Sequence, residues 1–261
     1  MIRVRIARAR GSTPREEGAE MCVGTRDVVG TIGGGALEYM AIDRARQMLA
    51  RGEATARLDI PLGPEIGQCC GGRVELAFDR TPPAARSPGP PVLILGAGHV
   101  GRALALALMP LPLSPRLVDS RADELALAPA NVPVTLTAVP EAEVRAAPPG
   151  TAYVILTHDH ALDFILAVEA LKRGDAFYVG MIGSRTKCAA FLRYALREGL
   201  GRETVDSKLT SPIAADAPRD KRPEVIAAFA AAEILACLLA PSPACAPSPA
   251  CVPTPGLCAA D

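Results

Sequence analysis

The chain has 261 residues, and 28 Lys and Arg balance 28 Asp and Glu, giving no formal net charge. That balance argues against a non-specific nucleic-acid binder, which needs a basic face to displace counterions from phosphates. No tryptophan and few other aromatics leave little material for stacking bases or sugars, so a small polar ligand held by backbone donors fits better.

The opening MIRVRIARARG is basic without an apolar core, so no secretory signal is visible. The longest predicted apolar helix, residues 225–240, is too short to span a bilayer and carries Glu233. A soluble, cytoplasmic protein with neither membrane nor nucleic-acid partner is expected. In such a reducing compartment the eight cysteines are expected to be free, catalytic or metal-directed rather than paired. They show no CxxC and no zinc spacing with the three histidines.

Short β runs are predicted over residues 4–9, 21–23, 28–31, 57–60 and 74–78, interrupted by one helix, ALEYMAIDRARQMLARGE. That helix places Leu37, Met40, Ala41, Ala45, Met48 and Leu49 at helical spacing, and Gly52 stops it. It follows Gly33, Gly34 and Gly35, whose amides at a helix start suit an anion; a plain strand-to-helix turn would need the same glycines.

The stretch IGQCCGG sets Cys69 beside Cys70, after Gln68 and before a glycine turn. Neighbours on an extended strand point to opposite faces, and a bond between adjacent thiols would be strained. One packed and one incidental cysteine, or a ligand-facing turn, both satisfy the pattern. Residues 1–80 thus read as a small α+β domain. Residues 81–91, with five prolines in eleven positions, read as a stiff linker.

Over residues 92–240 the rhythm becomes strand, helix, strand, which predicts a Rossmann-like parallel-sheet domain and an α/β protein as a whole. PVLILGAGHVG is an apolar strand followed by Gly96, Gly98 and Gly101 in GxGxxG order around His99. RLVDS then ends in Asp119, where a dinucleotide-binding acid meets a ribose hydroxyl. An NAD(P)-dependent oxidoreductase is therefore one reading, but no Tyr-x-x-x-Lys pair follows.

THDHALD sits where a parallel strand ends: His158 and His160 share a side if the strand continues and Asp159 lies opposite, which allows metal ligation or a proton-transfer or hydrogen-bonding role. The commoner outcome is that Asp163 caps the helix while one histidine orients a loop. GMIGSRTK adds Ser184, Arg185 and Lys187 at a glycine turn, a set that suits a phosphate or forms a solvated basic helix end. The tail, residues 241–261, repeats a Pro-Ala-Cys unit and is read as disordered.

Taken in order, RGSTPREEGAEM, GTIGGGALEYMA, LGPEIGQCCGG, LILGAGHVG, THDHALD and YVGMIGSRTK resemble the XdhC/CoxI family of xanthine dehydrogenase accessory proteins. The resemblance implies a maturation factor rather than an enzyme. It would bind molybdenum cofactor, protect it during sulfuration and insert it into the molybdenum subunit of apo xanthine dehydrogenase. It further implies contact with a cysteine desulfurase and a homo-oligomer. On this reading Cys69 and Cys70 face the molybdenum, Gln68 hydrogen-bonds its oxo or sulfido ligands, and the glycine junctions take the cofactor's phosphate. Where the family tends to read Pro-Ile-Gly, this chain has Pro212, Ile213 and Ala214.

Overall fold

A computed structural model describes residues 1–64, 71–80, 89–215 and 220–239. The chain divides into two compact units, Met1–Ser87 and Pro88–Asp261.

In the first unit five antiparallel strands, β1 (Ile2–Arg10), β2 (Glu20–Val23), β3 (Val28–Gly30), β4 (Thr55–Pro61) and β5 (Arg73–Arg80), are ordered β3-β2-β1-β5-β4. Alternation along β1 sends Ile2, Val4 and Ile6 into the core and Arg3 and Arg5 to the opposite face. A register shift between Ile6 and Arg8 flips that parity, so the arginines at 8 and 10 stay on the polar face. The helix α1 (Gly35–Arg51) buries Leu37, Ala41, Ala45 and Met48 against this core and ends at Gly52 in left-handed backbone. Met40, expected on the apolar stripe, is exposed.

The second unit holds a six-stranded parallel sheet. Its strands are β6 (Pro91–Leu95), β7 (Ser114–Asp119), β8 (Val134–Leu136), β9 (Ala152–Ile155), β10 (Tyr178–Met181) and β11 (Leu209–Thr210). The order β11-β10-β9-β6-β7-β8 reverses between β6 and β9, as in doubly wound dinucleotide folds. The helices are α2 (His99–Leu108), α3 (Ala122–Ala126), α4 (Pro140–Ala146), α5 (His160–Arg173), α6 (Arg185–Arg197), α7 (Arg202–Lys208) and α8 (Pro223–Leu239).

Alternate residues of β6 enter different cores. Val92 and Ile94 meet α2 and α8 on one face, whereas Leu93 and Leu95 meet α4, α5 and α6 on the other. A sheet covered on both faces explains why these strands read as continuous apolar runs. The polar exception on α8 is satisfied: Tyr178 Oη donates to Glu233 Oε1 at 2.5 Å, and the Ala214 amide donates to Oε2 at 3.0 Å. Burial, then the neighbouring Glu233 carboxylate, raises the Tyr178 pKa well above its usual value.

The short elements β8, β11, α3, α4 and α7 were not anticipated from the sequence. Among the described cysteines Cys22 and Cys188 are free thiols, whereas Cys237 is disulfide-bonded, which corrects the expectation of unpaired thiols. No described helix is long and apolar enough to cross a membrane.

Candidate functional site

At the carboxyl ends of the parallel strands lies a crevice lined by Leu95 and Gly96 at the end of β6, by Asp119 and Ser120 at the end of β7, and by Thr157 and His158 after β9. It occupies the point where strand order reverses, where open α/β sheets bind ligands.

The three glycines of the β6–α2 turn have different duties. A Cβ on Gly96, whose φ is +122°, would stand 2.4 Å from the Leu156 carbonyl oxygen, and one on Gly101 would stand 1.9 Å from that of Gly96. These two are required by the fold itself. A Cβ on Gly98 would meet nothing within 4 Å, and no side chain caps the helix that begins there. The start of α2 thus has room beside Gly98 and no capping side chain of its own, which suits an anion.

The peptide between Gly96 and Gly98 is held from both sides. The Ala97 amide donates to Asp119 Oδ2 at 2.6 Å, while Arg102 Nη1 donates to the Ala97 carbonyl at 2.6 Å and pairs with Glu124 at 2.5 Å. Arg121 closes the ring: its Nε and Nη2 donate to the two Asp119 oxygens at 3.0 and 2.8 Å, and its Nη1 lies 3.7 Å from Glu124. Burial alone would raise the Asp119 pKa, but the Arg121 guanidinium and the amides of Ala97 and Arg121 outweigh it and hold the carboxyl at about 2. Asp119 stands where the ribose-binding acid was expected, with both oxygens already accepting. Arg102, Arg121 and Glu124 were missed; the signal for Arg121 was its place two residues after the strand-ending acid.

In THDHALD the strand stops at Ile155 and α5 begins at His160, so the two histidines do not share a strand face as expected. His158 lines the crevice and His160 is exposed at the helix start. With His99, first residue of α2, all three histidines of the chain lie at this carboxyl edge. The helix cap is Asp159, whose carboxylate accepts from the Ala161 amide at 2.8 Å, and not Asp163.

Asp163 is fully buried; its Oδ1 accepts from the Thr157 amide at 2.9 Å, and its Oδ2 is paired with Lys187 Nζ. This corrects the expectation that Lys187 is a free cation for phosphate: its ammonium is buried against a carboxylate that needs it. Ser184 caps α6 by accepting from the Lys187 amide at 3.3 Å, and Arg185 is exposed at the same helix start.

The junction of the first unit also differs from expectation. Glu38 Oε2 accepts from the amides of Ile32 and Gly34, each at 3.1 Å, and from Thr31 Oγ1 at 2.5 Å. The Gly33 amide donates to Thr31 Oγ1 at 3.1 Å. Burial raises the Glu38 pKa, but the bonds from Thr31 and the glycine-turn amides prevail and lower it. The chain's own carboxylate thus fills the anion position predicted at Gly33, Gly34 and Gly35. Gln68, Cys69 and Cys70 lie outside the described residues, as do positions 81–88 and the tail. Among the described residues no cluster of His, Cys, Asp and Glu has metal-binding geometry.

A doubly wound parallel sheet with its crevice at the order reversal defines a Rossmann-type α/β protein, here joined to an α+β unit. The chain belongs to the XdhC and CoxI family: the XdhC Rossmann domain matches residues 92–234, and the XdhC and CoxI family matches residues 1–60. A protein of Escherichia coli strain K12, described as uncharacterized protein YqeB, is 26% identical over 242 residues, which are 88% of this chain and 42% of that protein. The chain therefore spans less than half the length of this curated relative. A crystal structure described as a xanthine dehydrogenase from Bacillus halodurans matches with a TM-score of 0.72 over 91% of each chain at 17% identity, which shows a shared fold.

Proposed function

We propose that the chain is a molybdenum cofactor chaperone, which protects the cofactor during sulfuration and inserts it into apo xanthine dehydrogenase. Membership of the family supports a maturation role, and the junction at Gly98 is the structural observation that favours a bound anionic ligand. Of the four glycine or loop junctions marked in the sequence, those at Gly34, Asp159 and Ser184 have their amides met by side chains of the chain itself. At Gly98 no side chain among the described residues does so.

The cofactor carries a dithiolene-bound metal, a pterin and a phosphate, so it requires soft sulfur or hydrogen-bond donors at one end and an anion site at the other. The α2 start would take the phosphate, with His99 and His158 as polar neighbours. Cys69 and Cys70 are the thiols in the sequence whose chemistry suits the metal end, and Gln68 is the donor that suits its terminal ligands. The partners on this reading are the molybdenum subunit of the dehydrogenase and a cysteine desulfurase.

Replacing Cys69 and Cys70 by serine, singly and together, tests the assignment. The expected outcome is that cofactor retention and activation of apo-dehydrogenase fall together without loss of thermal stability. If all three variants load and activate as the parent does, the thiols have no part in transfer.

A second reading, an NAD(P)-dependent oxidoreductase, draws on the strand order and on Asp119 at the end of β7. Against it, the Asp119 carboxylate is already held by Arg121 and Ala97. Sustained oxidation of NADH or NADPH with a small carbonyl substrate would favour this reading, and its absence is expected.

A further inference from the structure

The polar face of the first unit's sheet gathers arginines at one end, while α1 packs against the opposite, apolar face. The register shift between Ile6 and Arg8 sets Arg8 and Arg10 on the polar face, where unbroken alternation would have turned them toward the core. There they line a concavity with Asp59 of β4 and with Arg73 and Glu75 of β5.

The charges in this concavity do not balance. Both carboxylates are already engaged: Arg73 Nε donates to Asp59 Oδ1 at 2.7 Å, and Arg57 is paired with Glu75. Arg10 acts on Asp59 only through its charge, and among the described residues no hydrogen bond or close ion pair reaches the guanidinium of Arg8 or Arg10. Four guanidinia thus meet two carboxylates. Arg10 also stands directly opposite Arg73 in the β1–β5 ladder, a like-charge pairing that is destabilising by itself. The backbone beneath is fixed: the Leu62 amide donates to the Gly72 carbonyl at 2.8 Å, and a Cβ on Gly72 would stand 2.7 Å from the Arg10 carbonyl oxygen. The strand ends that carry Arg10 and Arg73 are therefore held against each other with no room to separate their charges.

We propose that this concavity is an oxyanion site that takes a phosphate-class tetrahedral anion between the guanidinia of Arg8, Arg10 and Arg73. The planar guanidinium fork matches such an anion with two parallel hydrogen bonds, and the added negative charge offsets the repulsion between Arg10 and Arg73. A bulge that re-aims two arginines onto one spot, and a repulsive pair kept in register there, are both accounted for by that ligand. A free inorganic anion and the terminal phosphate of an organic ligand offer the same chemistry. The site belongs to the first unit and does not depend on the junction at Gly98 in the second.

The test is a phosphorus NMR titration of the full chain with inorganic phosphate at constant ionic strength. It is run on the parent and in a Gly98→Asp background, where a carboxylate fills the start of α2, so a failure here is distinct from a failure at Gly98. Saturable binding is expected in both. In the Gly98→Asp background, Arg8→Gln and Arg10→Gln should each weaken it by up to about fivefold, the range of one exposed ion contact, and the two together should abolish saturation. Arg5→Gln, on the same face but outside the concavity, should bind as strongly as the background protein. Arg10→Gln should melt at or above the temperature of its background, because it removes one of two opposed like charges. Glycerol phosphate added to the saturated protein separates the sources: displacement assigns the terminal phosphate of an organic ligand, and no displacement assigns the free ion. Absence of saturable binding in the Gly98→Asp background overturns the proposal, and so does saturable binding that survives loss of both arginines.

Discussion

The two units each turn a glycine-rich strand end into a helix start, and they finish the turn in opposite ways. At Gly34 the carboxylate of Glu38 folds back onto the amides, so the anion is part of the chain. At Gly98 no such side chain is found among the described residues, while the peptide before it is gripped by Asp119 and Arg102. One junction is closed and structural, whereas the other is rigid and open. Glycine content alone does not separate them; the presence or absence of an acceptor one turn into the helix does.

The largest expected effect concerns the buried ion pair that holds Thr157 at the crevice. Lys187→Met leaves Asp163 buried without its partner and should cost about 3 to 5 kcal/mol in denaturant unfolding. A loss below about 1 kcal/mol would mean that water reaches the pair. The double variant Lys187→Met with Asp163→Asn should recover part of the loss, because no net charge is then buried.

Within the turn, Gly101→Ala should destabilise by about 1 to 3 kcal/mol, since its Cβ would overlap the Gly96 carbonyl. The same experiment on Gly98 meets no atom and should cost less, up to about 1 kcal/mol for the poorer cap. Equal losses at the two positions would erase the distinction between closed and open space.

The Asp119 clamp gives a pH signature. Its carboxyl sits at about 2 in the folded chain against an ordinary value of 3.8, so its contribution is complete above about pH 5 and is lost as pH falls through 3.8 toward 2. The contribution is at most about 2 kcal/mol, and Asp119→Asn should flatten that part of the stability profile. A profile with the same acid slope in variant and parent would show that the ring does not hold the turn.

At the closed junction Glu38→Ala should cost about 1 kcal/mol, the usual worth of a helix-end acceptor. Added sulfate should then stabilise the variant more than the parent, because it can take the vacated place. The smallest effect is expected at Ala214, whose φ of +55° is uncommon for a residue with a Cβ. Ala214→Gly should leave stability equal or raise it by up to about 1 kcal/mol.

Much of this architecture was legible in the chain. The five strands of the first unit follow from alternation between turn residues, and β6, β7, β9 and β10 follow from apolar runs that end in glycine or in Asp119 and Thr157. The strands β8 and β11 were not legible, because three and two residues at a sheet edge carry no period. The site was read at the level of loops and not of contacts. That Lys187 would bury itself against Asp163, 24 residues earlier, depends on how α5 and α6 pack. Likewise Glu38 is four residues from Gly34, and only the folded turn shows that it reaches back.

The most direct measurement is the molybdenum and pterin content of parent and Gly98→Asp proteins purified from a cofactor-producing host. An aspartate at this helix start is a good cap, so the variant should fold as well as the parent, and it gives the open junction the carboxylate that Glu38 gives the closed one. The account predicts close to one cofactor per parent protomer and a large loss in the variant at equal thermal stability. A folded parent without molybdenum or pterin would contradict the chaperone reading, and a variant that retains as much cofactor as the parent would contradict the placement of its anionic end at Gly98.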